Sequence, residues 1–150
     1  MNITARTALK LIPDPLKTHP VFLCVDDTMV SKSGKKFENV SKLFNHAAHN
    51  GSNYLNGHCF VSIMLCVPVL DHDKISYLSV PLGYRMWQKK ESELELAASM
   101  IRQVMPEFLS KEHVIILCDS WYTKKNLVSI IDEYPNLDLI GNARICLLYT

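Results

Sequence analysis

Three aspartates carry the pattern in this chain that could do chemistry. Asp26 and Asp27 follow the apolar run Val21–Val25 (VFLCV), and Asp119 follows His113–Cys118 (HVIILC). A short apolar run closed by polar residues reads as a buried strand. Ionised carboxylates avoid an apolar interior, so an acid at the end of such a strand is held at its mouth. If the two strands are neighbours, their acids converge, and converging carboxylates repel one another unless a cation lies between them. Mg²⁺ (or Mn²⁺) suits that position, being a hard ion that prefers carboxylate and water oxygens. Two such ions about 4 Å apart activate a water or a 3′-hydroxyl and stabilise the leaving oxygen in phosphodiester chemistry. The plainer account of each acid is that Asp closes strands because it favours turns. Neighbouring strand residues face opposite sides, so only one of Asp26 and Asp27 faces a shared metal.

The elements that must position these acids are legible in outline. Met1–Pro20 carries Pro13, Pro15 and Pro20 without a clean period and reads as a linker or the remnant of a preceding region. Val21–Val25 is the first strand. Ser31–Lys36 (SKSGKK) is a basic turn, and Phe37–Asn56 is mostly loop with one helical turn near Ser41–Ala48. His58–Leu70 and Ile75–Leu82, split by Asp71–Lys74, form an antiparallel hairpin. Leu94, Ala97, Ala98, Ile101, Val104, Met105 and Phe108 then recur at helical spacing, opened by a Ser92/Glu95 capping box and ended or bent by Pro106. A strand at His113–Cys118 follows. A helix from about Lys124 to Tyr134, capped by Thr123, and a strand at Leu137–Ile145 complete the order. Three strands, then alternation of helix and strand, argue an α/β domain whose mixed sheet is antiparallel early and parallel later, with flanking helices.

Composition bounds the function without naming it. The chain has 150 residues, 48% of them hydrophobic, with a formal net charge of +1. That suits one compact domain over residues 21–150 and excludes a disordered tail. It is less basic than a stand-alone nucleic-acid binder. Five cysteines, none in a C-x-x-C pair, argue against a disulfide framework or a zinc site. A reducing cytoplasm is the expected compartment. No signal peptide opens the chain, and the longest apolar run, Cys59–Leu70, is interrupted by Ser62 and Pro68. It is shorter than the roughly 20 residues a membrane helix needs.

Taken together, DDT after the first strand, NGHCFVS opening the second, PLGYRMW with KKESELELA after it, CDSWY, and GNARI followed by LLY resemble the insertion-sequence transposases of the DDE superfamily. The closest branch is the one typified by insertion sequences four and seven-oh-one. The resemblance runs from about Pro20 to Tyr149 and rests on order and spacing rather than on any single motif. It implies an RNase H-like fold, metal-dependent cutting of DNA at transposon ends, and strand transfer into target DNA. It maps the family's first catalytic, metal-binding aspartate to Asp27, with Asp26 as its acidic neighbour, and the second to Asp119. The family's third acid, a glutamate on a later helix, has no counterpart before the chain stops. The expectation is therefore a partial catalytic core, incomplete at its C-terminus, with weak or no activity. Asp132 and Glu133 lie on the second helix and are read as solvated.

Other residues carry weaker signals. Lys32, Lys35 and Lys36 follow the first acid, and Lys124 and Lys125 follow the second; they could meet phosphates, or be ordinary solvated lysines. Arg144 could bind DNA or pair with an acid. Trp121 and Tyr122 could stack on an unpaired base, with core packing the plainer account. His46 and His49 lie one helical turn apart but lack a third ligand at matching spacing. His58 reads as a strand-opening residue. Thr28 and Ser120 have no histidine base at useful spacing, which makes acyl transfer a poor reading.

Three functions compete on this sequence. The first is a transposase catalytic domain acting on DNA, with another transposase copy as a possible partner and no membrane. The second is a non-enzymatic remnant that binds transposase or DNA as an inhibitor. The third is another RNase H-like nuclease with a different nucleic-acid substrate.

Overall fold

A computed structural model of the chain describes residues 1–34, 36–44 and 53–142. Among these residues six strands form one mixed sheet: β1 (Val21–Ser31), β2 (Ser41–Phe44), β3 (Tyr54–Asp71), β4 (Lys74–Met86), β5 (Val114–Cys118) and β6 (Leu137–Gly141). Their order is β2-β3-β1-β5-β6, with β4 also paired to β3. β1 runs antiparallel to β3 and parallel to β5, and β5 runs parallel to β6. The described residues also form three α-helices, α1 (Asn2–Lys10), α2 (Glu93–Val104) and α3 (Lys125–Val128), giving an α/β architecture. Among the described residues no helix is long and apolar enough to cross a membrane.

Alternation along the strands sorts side chains onto two faces. Val21, Leu23 and Val25 of β1, Val61, Ile63, Leu65 and Val67 of β3, Val114 and Ile116 of β5 and Leu137 of β6 point to one side. All of them belong to the hydrophobic core, together with Ala5 and Leu9 of α1, Leu96, Met100 and Ile101 of α2, and Leu127 of α3. Phe22, Cys24, Met64 and Ile115 alternate to the opposite face and lie outside that core. The side on which a β1 residue falls therefore decides whether it meets the helices.

Several elements differ from the sequence expectation, each for a physical reason. The segment read as a linker begins with α1, whose Ala5, Ala8 and Leu9 are buried at helical spacing. Its prolines lie beyond the helix, where Pro15 opens the 3-10 turn Asp14–Leu16 and Leu16 is buried. Arg6 of α1 pairs with Glu107 at 2.9 Å, tying this segment to the end of α2. β1 does not stop at Val25: it continues through Asp26 and Asp27 to Ser31, because β3 supplies antiparallel partners along that length. The expected helical turn near Ser41 is strand β2, paired to the start of β3, which opens at Tyr54 rather than His58. The expected second helix is one turn of α-helix followed by a 3-10 turn at Ser129–Glu133, with Lys124 rather than Thr123 at its cap. The Thr123 hydroxyl donates to the Asn142 carbonyl at 2.7 Å instead. The last strand is described to Gly141; its expected remainder lies outside the described residues.

Two backbone details hold β3 in place. β4 carries a bulge opposite Ile63/Met64, where the extra residue, Leu82, is buried in the core. Gly57 sits where β1, β3 and β2 meet, paired to Ser31 on one side and Ser41 on the other. A Cβ there would come within 2.3 Å of the Val30 carbonyl oxygen.

A core built on one face of the sheet predicts asymmetric mutational costs. Ile116→Ala, at a position with no exposure, is expected to cost about 2–5 kcal/mol. Ile140→Ala, 58% exposed on the other face, should change stability by no more than about 0.5 kcal/mol. Urea unfolding of both variants checks this, and equal losses would contradict a one-sided core.

Candidate functional site

The cleft of interest forms where parallel pairing stops. β1 and β5 pair from Val21/Val114 to Val25/Cys118 and no further. Past that point β1 continues with Asp26 and Asp27, while the chain after β5 turns away at Asp119. Asp27 lies two residues beyond Val25 and pairs with Val61, so it shares the face that packs the helices. It lines a cleft of about 250 Å³ with Met29, Lys42, Leu43, Phe44, Trp87, Glu93, Asp119 and Trp121. The structure thus brings Asp27 and Asp119 together. It leaves Asp26 out: that residue is exposed, pairs with Ser62, and its carboxylate accepts from the Asp27 N–H at 2.9 Å.

Asp27 is half-buried, and its surroundings are unusual for a carboxylate. The hydroxyl of Tyr122, which has no exposure, donates to its Oδ1 at 3.3 Å. The Cys59 thiol approaches Oδ2 at 3.8 Å. Burial pushes the Asp27 carboxyl above the ordinary aspartate value, and Glu93, Asp26 and Asp119 push it the same way; only the Tyr122 hydroxyl opposes them. The Tyr122 hydroxyl and the Cys59 thiol are themselves pushed up, first by burial and then by Asp27 and Glu93, so both remain neutral donors.

Asp119 is fixed by its own turn. Its Oδ1 accepts the backbone N–H groups of Trp121 at 2.9 Å and Tyr122 at 3.3 Å. This Asx-type turn is the ordinary use of Asp after a strand, and here it also aligns two residues of the cleft. Trp121 reaches back across the cleft, its indole N–H donating to Glu93 Oε2 at 3.2 Å. The Lys124 ammonium stands 3.5 Å from the Trp121 ring centroid, a cation–π contact.

Glu93 is an acid of this cleft that sequence reasoning did not single out. It is the first residue of α2, beside a complete capping box: Ser92 Oγ accepts from Glu95 N–H, and Glu95 accepts from Ser92 N–H. Acids in a helix's first turn ordinarily complement its dipole, which disguises this one. The signal was helical spacing. Glu93 lies three and four residues before the buried Leu96 and Ala97, and seven before the buried Met100. That places an acid on the core-facing stripe of the helix. Trp87, immediately after β4, and Lys42 and Phe44 of β2 also line the cleft and were not singled out.

The remaining sequence candidates fall elsewhere. Lys36 is exposed on the loop after β1, and Lys124 is exposed at the cap of α3. Lys35, His46, His49 and Arg144 lie outside the described residues. His58 bonds the Glu38 carbonyl at 2.8 Å. Glu133 is held by Arg102 at 2.6 Å. Four described cysteines, Cys24, Cys59, Cys66 and Cys118, are free thiols. Among the described residues no three His, Cys, Asp or Glu side chains already converge closely enough to enclose a metal. Asp27, Glu93 and Asp119 line a common cleft but do not form a closed cage. Mg²⁺ is commonly held by only one or two carboxylates, with waters and substrate phosphate completing its shell. A half-buried carboxylate crowded by two others fits that demand. No family model matches the chain, and no curated protein matches it.

Two predictions follow from this geometry. The folded value of Asp27 lies above the unfolded one, so its contribution to stability is complete below the ordinary aspartate value and is lost as pH rises through the raised folded value. Asp27→Asn is therefore expected to raise the thermal midpoint at pH 7 and leave it unchanged near pH 3 in calorimetric scans. A lower midpoint at pH 7 would contradict the crowding of this carboxylate. Ser92→Ala removes the hydroxyl of the capping box and should cost about 1 kcal/mol, read as a shifted urea midpoint with an unchanged slope.

Proposed function

We propose that this chain is the catalytic core of a DDE-superfamily transposase, an RNase H-like domain that cuts and joins DNA with divalent metal. The observation that carries the reading is that Asp27 and Asp119, from neighbouring parallel strands, line one cleft. The element order supports it as well: a central strand, a hairpin beside it, a helix, and a parallel strand ending at the second acid. In this reading Asp27 and Asp119 hold Mg²⁺ or Mn²⁺, with Glu93 across the cleft as a further carboxylate. When bound, such ions supply an activated water or 3′-hydroxyl and stabilise the departing oxygen. The protein's part is to orient. The Asx turn holds one Asp119 oxygen and leaves the other for a ligand. Tyr122 and Cys59 hold the Asp27 carboxylate with neutral donors. Lys36 and Lys124 offer charge to the phosphates of a DNA end. The partners are transposon-end and target DNA and a second transposase copy, and the setting is a cytoplasm that keeps the thiols reduced.

A second reading is favoured by one observation. Glu93 places a third acid in the same cleft within this chain, which suits an RNase H-like nuclease that needs no acid from elsewhere. One assay separates the two. With Mg²⁺, the first reading expects end-specific nicks in a duplex carrying the inverted repeat that flanks the reading frame. Cutting of an RNA–DNA hybrid without such nicks selects the second. A protein that binds such ends without cutting them is the remaining, non-enzymatic alternative. For both nuclease readings, Asp119→Ala should abolish Mn²⁺ binding in titration calorimetry and reduce cleavage at least about a hundredfold, the scale of losing a principal electrostatic contributor. Unchanged Mn²⁺ heats would remove Asp119 from the site and the metal mechanism with it.

A further inference from the structure

The sequence holds five cysteines, none in a C-x-x-C pair, so spacing along the chain suggests no pairing among them. The fold makes a pair across strands instead. On the sheet face opposite the helices, Cys24 of β1 and Cys66 of β3 bring their sulfurs to 3.7 Å. Neither belongs to the hydrophobic core. Cys24 is partly exposed and Cys66 is 9% exposed, so the pair is reached from solvent on this face. Ser79, opposite Cys66 on β4, sets its hydroxyl 3.3 Å from the Cys66 sulfur. Two thiols this close admit a disulfide or a shared cation, and the geometry separates the two. Cys24 pairs with Met64 and Cys66 with Phe22, so the cysteines are diagonal neighbours in the ladder. Diagonal neighbours stand about 7–8 Å apart, beyond the roughly 4.4–6.8 Å between Cα atoms that a disulfide spans. A cation has no such difficulty. Zinc–thiolate bonds of about 2.3 Å meeting at the tetrahedral angle hold their sulfurs about 3.8 Å apart, whereas two such bonds in line need about 4.6 Å. The observed 3.7 Å fits the bent arrangement. Burial, and then Cys66, pushes the Cys24 thiol up to about 12, so an entering ion has to displace its proton. Among the described residues no third His, Cys, Asp or Glu completes a cage around these sulfurs.

We propose that Cys24 and Cys66 form an open site for a thiophilic, tetrahedral dication of the Zn²⁺ and Cd²⁺ class, with its outer positions left to water or to a ligand from outside the described residues. An ion there clamps β1 to β3 three residues before Asp27, and it does so whether or not the cleft cuts nucleic acid. The probe is Cd²⁺, whose thiolate complexes absorb in the ultraviolet by charge transfer. The full chain is kept reduced with a phosphine and titrated in excess Mg²⁺, which competes for carboxylates and not for sulfur. The thiolate band should rise and saturate at one ion per chain. Cys24→Ala and Cys66→Ala should each remove it, while Cys59→Ala and Cys118→Ala keep it. Circular dichroism establishes that each variant is folded. A second measurement needs no variant. On the unaltered chain, Cd²⁺ should protect Cys24 and Cys66 from alkylation by iodoacetamide and leave Cys118 as reactive as before, read by peptide mass. Absence of the band on the unaltered chain would mean two thiols in plain contact and overturns the proposal. So does a band that persists in folded Cys24→Ala or Cys66→Ala protein, or alkylation of Cys24 and Cys66 that Cd²⁺ does not slow.

Discussion

The parallel pairing of β1 with β5, and the point at which it stops, is the constraint on which the cleft depends. As far as Val25 and Cys118 the two strands share a ladder, and their inward residues pack the helices. Beyond it, among the described residues, β1 is held by β3 alone. A gap opens beside β1 on the helix side, floored by Asp27 and flanked by the turn that follows β5. Had β5 continued, the side chain after Cys118 would have alternated away from the helices. The turn at Asp119 returns Trp121 and Tyr122 to the side where Asp27 lies.

Acids dominate the electrostatics of the cleft around Asp27. Asp27 is flanked by two neutral donors, Tyr122 and Cys59, while every nearby ionisable acid disfavours its charge. Such crowding is a cost to the folded chain above the ordinary aspartate value. The same arrangement explains why the acids stay apart. Their first contacts are with Trp121, Tyr122 and Cys59 rather than with one another, which holds the carboxylates around a space instead of a point.

The buried runs followed by acids were legible because burial and charge make opposite demands on adjacent residues, and VFLCV-DD and HVIILC-D state both demands in a few letters; only β5 stops at its acid, since β1 runs on to Ser31. Helix α2 and its capping box were legible for the same kind of reason. What escaped was context-dependent. α1 is short, and the three prolines near it dominate a local reading, although its buried alanines are at helical spacing. β2 has four residues and takes its conformation from β3. The bulge at Leu82 switches the parity of β4, so that Leu78 and Val80 before it and Gly83 and Arg85 after it face the same side; a strict alternation rule cannot span that switch. Glu93 was hidden because an acid at a helix start already has a sufficient local explanation. Alternation required only one of Asp26 and Asp27 to face inward; the choice of Asp27 came from the resemblance, and the register with Val61 puts Asp27 on the helix side.

The close approach at Gly57 has an evolutionary consequence. Apolar strand positions accept one another's residues freely, so sequences can drift far apart while the sheet stays the same. A position where a carbonyl oxygen already occupies the space of a side chain has no such freedom. In any homologue that keeps the three-strand junction of β1, β3 and β2, this glycine can be replaced only if the backbone there is rebuilt. It is therefore a more durable marker of common descent than the hydrophobic letters around it.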